Sequence, residues 1–206
     1  SLMTTPTLTT AGTAYREQQP SLATVEVTVR SDSDEPAVAR STARDRAETI
    51  RNSLTAVSTD QVDTVDIRVQ EADEVFGPDT DSDYRAEERL MIECLPSTAE
   101  DVVIDVTEIG GTVQNVEFGL HMDAQRQLED ETLEAALDRA RKKAERLATA
   151  EGMAVACIQS ISTTQPAADM DGIVDEALDQ STNMDISPPP VEVSKRVEVV
   201  YELTKE

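Results

Sequence analysis

The sequence predicts an α+β fold in which about seven strands form a predominantly antiparallel sheet together with three helices. Seven segments have the alternation of apolar and polar residues that is typical of half-buried strands, and three have apolar residues at helical spacing. Prolines, a glycine pair and acidic stretches separate these segments. At 206 residues the chain is long enough to bury a sizeable core, and we expect a single domain over residues 3–206.

The first elements are two strands followed by a helix. Residues 7–16 form a weak strand and residues 22–30 a clear one, and the turn at residues 18–20 predicts that the two strands pair as a hairpin. Pro36 suits the first turn of a helix, because a missing amide hydrogen does no harm there. This helix is expected to end near Ser58, and its apolar stripe consists of Ala39, Ala43, Ala47, Ile50, Leu54 and Val57.

The middle of the chain contains three strands and a second helix. A solvated acidic loop is expected at residues 71–83. The helix begins at a capping box formed by Ser97 and Glu100, and it stops at the pair Gly110 and Gly111. The strands are predicted at residues 65–69, 86–94 and 113–120.

A third helix, closed by Gly152, combines an apolar arc with a cluster of basic residues. Its apolar arc is Leu133, Ala136, Leu137, Ala140, Ala144 and Leu147. A possible charged interaction edge consists of Arg139, Lys142, Lys143 and Arg146. Asp138 lies four residues before Lys142, which favours a solvated helix edge with balanced charges over a site for a phosphate-bearing ligand or an acidic partner surface.

The chain ends with two further strands that flank a long polar segment. Residues 154–162 and 191–203 have the apolar alternation of strands. Residues 163–190 are polar and end in three prolines, and we expect them to form a mobile excursion from the domain.

Acidic residues dominate the composition. Forty-two Asp and Glu face eighteen Lys and Arg, which gives a net charge of -24, and the chain has two Phe, three Tyr and no Trp. Such a charge destabilises a compact fold unless salt screens it, and at molar salt the screening length is about 3 Å. The composition resembles that of cytosolic proteins from salt-accumulating halophiles. It argues against a nucleic-acid partner, which would require a broad basic surface or an aromatic platform.

We expect a cytoplasmic protein that does not enter a membrane. The sequence has no apolar run long enough to span a bilayer and no basic-then-apolar leader. Its two cysteines, Cys94 and Cys157, lie in strand-like segments, which predicts buried, reduced thiols.

No pattern in the sequence indicates a catalytic residue, a cofactor or a metal. His121 is the only histidine and follows the end of a strand. The sequence contains no nucleophile motif for which this histidine could act as a general base. The acidic run at residues 79–90 resembles a calcium loop, but Tyr84 stands where glycine is needed and Leu90 where glutamate is needed. Gly110 and Gly111 follow a helix and lack the further glycine of a phosphate-binding motif.

The order of these elements resembles the SIMPL-domain family, which includes bacterial periplasmic immunogenic proteins. The matching pieces are Gly12 in the first strand, Pro20 at the entry to the second, VQNVEFGL at residues 113–120, the Ala-rich basic helix EAALDRARKKAERLATAEGM, and the final strand VEVSKRVEVVYEL. The resemblance covers nearly the whole chain. One departure is Ser21, which stands where many relatives have Asp.

The resemblance implies an α+β fold, homo-oligomeric assembly in at least some members, and no established catalytic residues. It favours a non-enzymatic, self-assembling protein without a cofactor, adapted to high salt, whose partner is a further copy of itself. The alternative is a small-molecule-binding protein or enzyme with a pocket between sheet and helices, lined by the arginines and His121. A monomer with one deep polar pocket would favour this alternative.

Overall fold

The computed structural model describes residues 4–71, 81–164 and 188–205. The chain divides into two compact units, which we call the terminal unit (Ser1–Gln19 and Leu120–Glu206) and the central unit (Pro20–Gly119). In chain order the elements are β1 (Thr7–Gln18), β2 (Leu22–Ser33), α1 (Pro36–Ser53), β3 (Val62–Glu71), β4 (Tyr84–Cys94), α2 (Ala99–Ile109), β5 (Thr112–Gly119), α3 (Met122–Ala150), β6 (Met153–Thr164) and β7 (Val191–Lys205).

The central unit is a four-stranded antiparallel sheet with α1 and α2 packed on it. Its strand order is β3-β4-β2-β5. The alternation of β2 places its apolar side chains under the helices, which is why the strand is fully buried on that face. The core consists mainly of Ala23, Val25, Val27, Val29, Ala47, Ile50, Leu90, Ile92, Val102 and Val106.

The terminal unit is a three-stranded antiparallel sheet with the long helix α3 on one face. Its strand order is β1-β7-β6, so the first and last described strands of the chain lie side by side. The helix contributes small side chains to the core and the strand β7 contributes larger ones. The core residues are Ala14, Ala136, Ala140, Ala144, Val197, Val199 and Tyr201.

The predicted α+β class is confirmed: residues 4–71, 81–164 and 188–205 contain seven strands, in two antiparallel sheets, and three helices. The predicted hairpin between residues 7–16 and 22–30 is wrong, because β1 pairs with β7 along its whole length. Both sides of β2 are already occupied, one by β4 and the other by β5. Pairing between strands that are distant in the sequence therefore forms in place of the hairpin that the short turn predicts.

The ends of the three helices differ from those predicted. α1 ends at Ser53, and Leu54 and Val57 are buried in the connection that follows instead of in the helix. The capping box of Ser97 and Glu100 does not form, because Pro96–Thr98 is a 3-10 turn and α2 begins after it. α3 begins at Met122, since its buried side extends upstream through Leu128 and Thr132.

The long polar segment lies mostly outside the described residues. Thr163 and Thr164, which the sequence places in the excursion of residues 163–190, are instead the end of β6. Residues 165–187 lie outside the described part of the chain, as do residues 72–80 of the acidic loop. The expectation of a single domain over residues 3–206 stays a prediction.

Candidate functional site

Small residues allow α3 to lie directly against β1. A Cβ atom added at Gly12 would overlap the backbone oxygen of Ala136 and lie 2.7 Å from the backbone nitrogen of Ala140, so the position accepts only glycine. The Thr10 hydroxyl donates a hydrogen bond to the carbonyl oxygen of Ala140 over 2.8 Å. Ala136, Ala140 and Ala144 are all buried on the contact side of the helix. The helix is therefore held in register beside the strand.

Two basic side chains of α3 cover the outer edge of β1. Within the described residues β1 pairs only with β7, so its other side is an open edge. Arg139 Nη1 donates a hydrogen bond to the carbonyl oxygen of Thr13 over 2.7 Å, and Lys143 Nζ donates one to that of Ala11, also over 2.7 Å. The two cations satisfy backbone acceptors that would otherwise offer a template for another strand.

This edge forms one wall of a groove of about 580 Å³. We call it the basic groove, and its lining residues are Ala11, Gly12, Thr13, Arg139, Lys142, Lys143, Arg146 and Arg196. The structure thus brings together the four residues of the predicted charged edge. No carboxylate is among the lining residues, although acids outnumber bases by more than two to one in the chain.

Arg196 is the member of the basic groove that the sequence did not reveal. It lies on β7 directly opposite Thr13 of β1. The closeness of Arg196 to Thr13 depends on pairing between the two ends of the chain, and no local sequence pattern predicts that pairing. The alternation of residues 191–203 places Arg196 on the polar face of its strand. Its position beside the basic residues of α3 follows only from the register between β7 and β1.

Two ion pairs lie on the solvent side of α3, as the four-residue spacing predicts. Lys142 Nζ lies 2.7 Å from Asp138 Oδ2, and Arg141 Nε lies 3.0 Å from Glu145 Oε1. All four side chains are at least half exposed, so each pair contributes little to stability. Arg141 is not among the residues that line the basic groove.

The strand β6 forms the opposite edge of the terminal sheet and carries no charged side chain. Among the seven described strands it alone lacks Asp, Glu, Lys and Arg. It is 12 residues long, and Ile158 and Ile161 are 44% and 50% exposed. The edge strand β3 also exposes apolar residues, but it carries Asp66 and Arg68 among them. We call the outer side of Met153–Thr164 the β6 edge.

The two thiols lie in different environments. Cys94 is buried, and burial raises its pKa. The prediction of a buried thiol is wrong for Cys157, which is exposed because it lies on the edge strand. Its sulfur donates a hydrogen bond to Glu202 Oε2 over 3.1 Å, and this carboxylate raises the pKa of Cys157. Since the thiolate is the reactive form, neither environment activates a nucleophile.

The other sequence candidates do not join the basic groove. His121 is exposed and directly precedes α3, where its carbonyl oxygen accepts a hydrogen bond from the amide of Gln125 over 2.9 Å. Gly110 ends α2 with a φ of 99°, as a helix stop requires. Tyr84 and Leu90 belong to β4. Among the described residues, no group of three His, Cys, Asp or Glu side chains is placed to hold a metal ion.

The fold and these two surfaces define an α+β protein that consists of two helix-covered antiparallel sheets, one of which has a basic groove at one edge and an uncharged strand at the other. None of the helices in the described ranges combines the length and the apolarity that crossing a bilayer requires. The chain belongs to the SIMPL family, described as a protein of unknown function (DUF541), whose model matches residues 8–201. A comparison with curated proteins gave no match.

Proposed function

We propose that this protein is a non-enzymatic SIMPL-domain protein that assembles with copies of itself through the β6 edge. The observation that carries the proposal is a 12-residue edge strand that is exposed along most of its length and has no charge. Edge strands of monomeric proteins are usually shortened, charged or covered, because open backbone groups invite pairing with another chain. The β6 edge has none of these protections within the described residues.

The charge of the chain explains why this strand suits a second copy in particular. Two molecules that each carry a net charge of -24 repel each other over most of their surfaces. Contact between copies therefore requires a surface on which like charges do not meet. Two β6 strands can pair without placing any carboxylate against another, and their isoleucines can pack on each other.

The three other edge strands of the two sheets are less suited to this role. Arg139 and Lys143 cover the edge of β1. Asp63, Asp66 and Arg68 put charges on β3, and β5 has only 8 residues and carries Glu117. Register shifts occur in both β3 and β6, so the charges make the difference between these two edges. Pairing of β6 with β6 about a twofold axis would form a continuous sheet of six strands from two terminal units.

We further propose that assembly takes place in concentrated salt in the cytoplasm. The support is the composition: 42 acidic residues and 18 basic ones require screening before copies can approach. At molar salt the screening length is about 3 Å, so repulsion acts only between charges in near contact.

The test is to place charge on the β6 edge and measure the mass in solution. The double variant Ile158→Asp with Ile161→Asp adds two carboxylates per copy at side chains that are already exposed. Sedimentation velocity in about 1 M KCl, where the screening length is about 3 Å, is expected to show an oligomer for the parent protein and a folded monomer for the variant.

The matched control is the double variant Ile67→Asp with Val69→Asp on β3. These side chains are 45% and 41% exposed, and the variant has the same change in charge. It is expected to keep the parent mass. A monomeric parent protein contradicts self-assembly, and loss of assembly in the β3 variant alone assigns the interface to β3 instead.

A further inference from the structure

We propose that the basic groove binds a small ligand that carries several phosphate groups. The groove unites Arg139, Lys142, Lys143, Arg146 and Arg196, which are five of the eighteen basic residues of the chain. Its volume of about 580 Å³ lies within the range of small-molecule sites. On a protein with a net charge of -24, this concentration of cations complements an anion.

The cations of the groove are only partly neutralised by their surroundings. Arg139 and Lys143 donate to the carbonyl oxygens of Thr13 and Ala11, which are uncharged acceptors, so both formal positive charges persist. Of the five, Lys142 alone has an ion-pair partner among the described residues, and this partner is Asp138. A phosphate group that enters the groove can therefore contact Arg139 and Lys143 without first displacing a carboxylate from either side chain.

Two of the five cations are positioned over β1 by contacts within the protein. Gly12 lets the backbone of α3 approach β1, and the two carbonyl contacts hold Arg139 and Lys143 over the strand. In an antiparallel strand the amide and the carbonyl of one residue point to the same side. The amides of Ala11 and Thr13 therefore face the same open edge as the bonded carbonyl groups, and they can donate to an anion there.

The lining also indicates how the ligand is recognised. Three of the five cations are arginines, whose planar forks match phosphate oxygens in pairs. No aromatic side chain lines the groove, so a nucleobase would find no ring to stack on. The ligand is expected to be bound through its phosphate groups, as inorganic triphosphate would be.

The test is a calorimetric titration of the full chain with inorganic triphosphate in about 1 M KCl, where the screening length is about 3 Å. We expect saturable binding of one triphosphate per chain. Arg146→Gln and Arg196→Gln remove exposed cations that lie on different elements of the groove. Each is expected to weaken binding roughly tenfold, as loss of one charge-assisted contact predicts.

The matched control is Arg141→Gln, which removes the same charge from the same helix outside the groove. It is expected to leave the affinity within about twofold, well below the tenfold step of one lost contact. Absence of triphosphate binding, or an equal loss with Arg141→Gln, overturns the proposal. If triphosphate does not bind and the Arg146→Gln protein loses mass in sedimentation, the groove instead receives an acidic face of a second copy. The measurement is independent of the β6 edge, since a monomer can still bind triphosphate.

Discussion

At the scale of single residues, Gly12 decides whether α3 can lie on β1. The sequence marks this glycine only as a piece of the family pattern, and the reason for it is a contact with Ala136 and Ala140, far away along the chain. No local signal reports such a contact. The same limit explains why Arg196 was missed, whereas Arg139, Lys142, Lys143 and Arg146 were found together, because one helix presents them.

Gly12→Ala is expected to destabilise the protein by about 3 kcal/mol or more, because the added methyl group meets backbone atoms that cannot rotate away. Chemical denaturation in molar KCl measures the change in the free energy of unfolding. Gly119→Ala is the control, since a Cβ atom there has no atom within 4 Å. Its effect is expected to stay within about 0.5 kcal/mol. Equal losses in the two variants would contradict the close approach of α3.

At the scale of elements, the buried side of α3 advances in steps of four residues. Leu128, Thr132, Ala136, Ala140, Ala144 and Ala148 are buried. The predicted arc correctly includes Ala136, Ala140 and Ala144, but it also includes Leu147, which is 47% exposed. A helical wheel assumes a straight contact with a flat neighbour, whereas a twisted sheet can meet a helix along a line that moves around it.

A pair of leucine variants tests this register of α3. Leu128→Ala is expected to cost about 3 kcal/mol, because the side chain is 4% exposed and its loss leaves a cavity. Leu147→Ala is expected to change the free energy of unfolding by about 0.5 kcal/mol or less. Thermal or chemical unfolding of the two variants beside the parent protein measures both. A larger decrease in the free energy of unfolding for Leu147→Ala than for Leu128→Ala would contradict this register and support the apolar arc predicted from the sequence.

Elements were predicted correctly where a local pattern defines them, and predictions failed where they depend on strand order. The seven strands and three helices of the described ranges were all predicted, because alternation and helical spacing are local properties of the chain. The hairpin of β1 and β2 failed, and the exposed position of Cys157 was missed, because each depends on which strands are neighbours. The β6 edge could not be recognised for the same reason. Its lack of charge is visible in the sequence, but its place at an edge is not.

At the scale of the whole molecule, the net charge of -24 predicts that stability depends on salt. The free energy of unfolding is expected to rise steadily from dilute buffer to molar KCl, as screening weakens repulsion among carboxylates. Thermal unfolding midpoints across a KCl series measure this, with sucrose as a control that stabilises without screening charge. Equal stability in dilute buffer and in concentrated KCl would contradict the electrostatic account.

The most direct test of assembly through the β6 edge is backbone hydrogen exchange of β6 at increasing protein concentration in molar KCl. The amides on the outer side of Met153–Thr164 are expected to gain protection over the concentration range in which the mass rises. The variant with aspartates at positions 158 and 161 is expected to show no such gain. If the mass rises while exchange of β6 stays constant, and β3 gains protection instead, the β6 edge is not the interface.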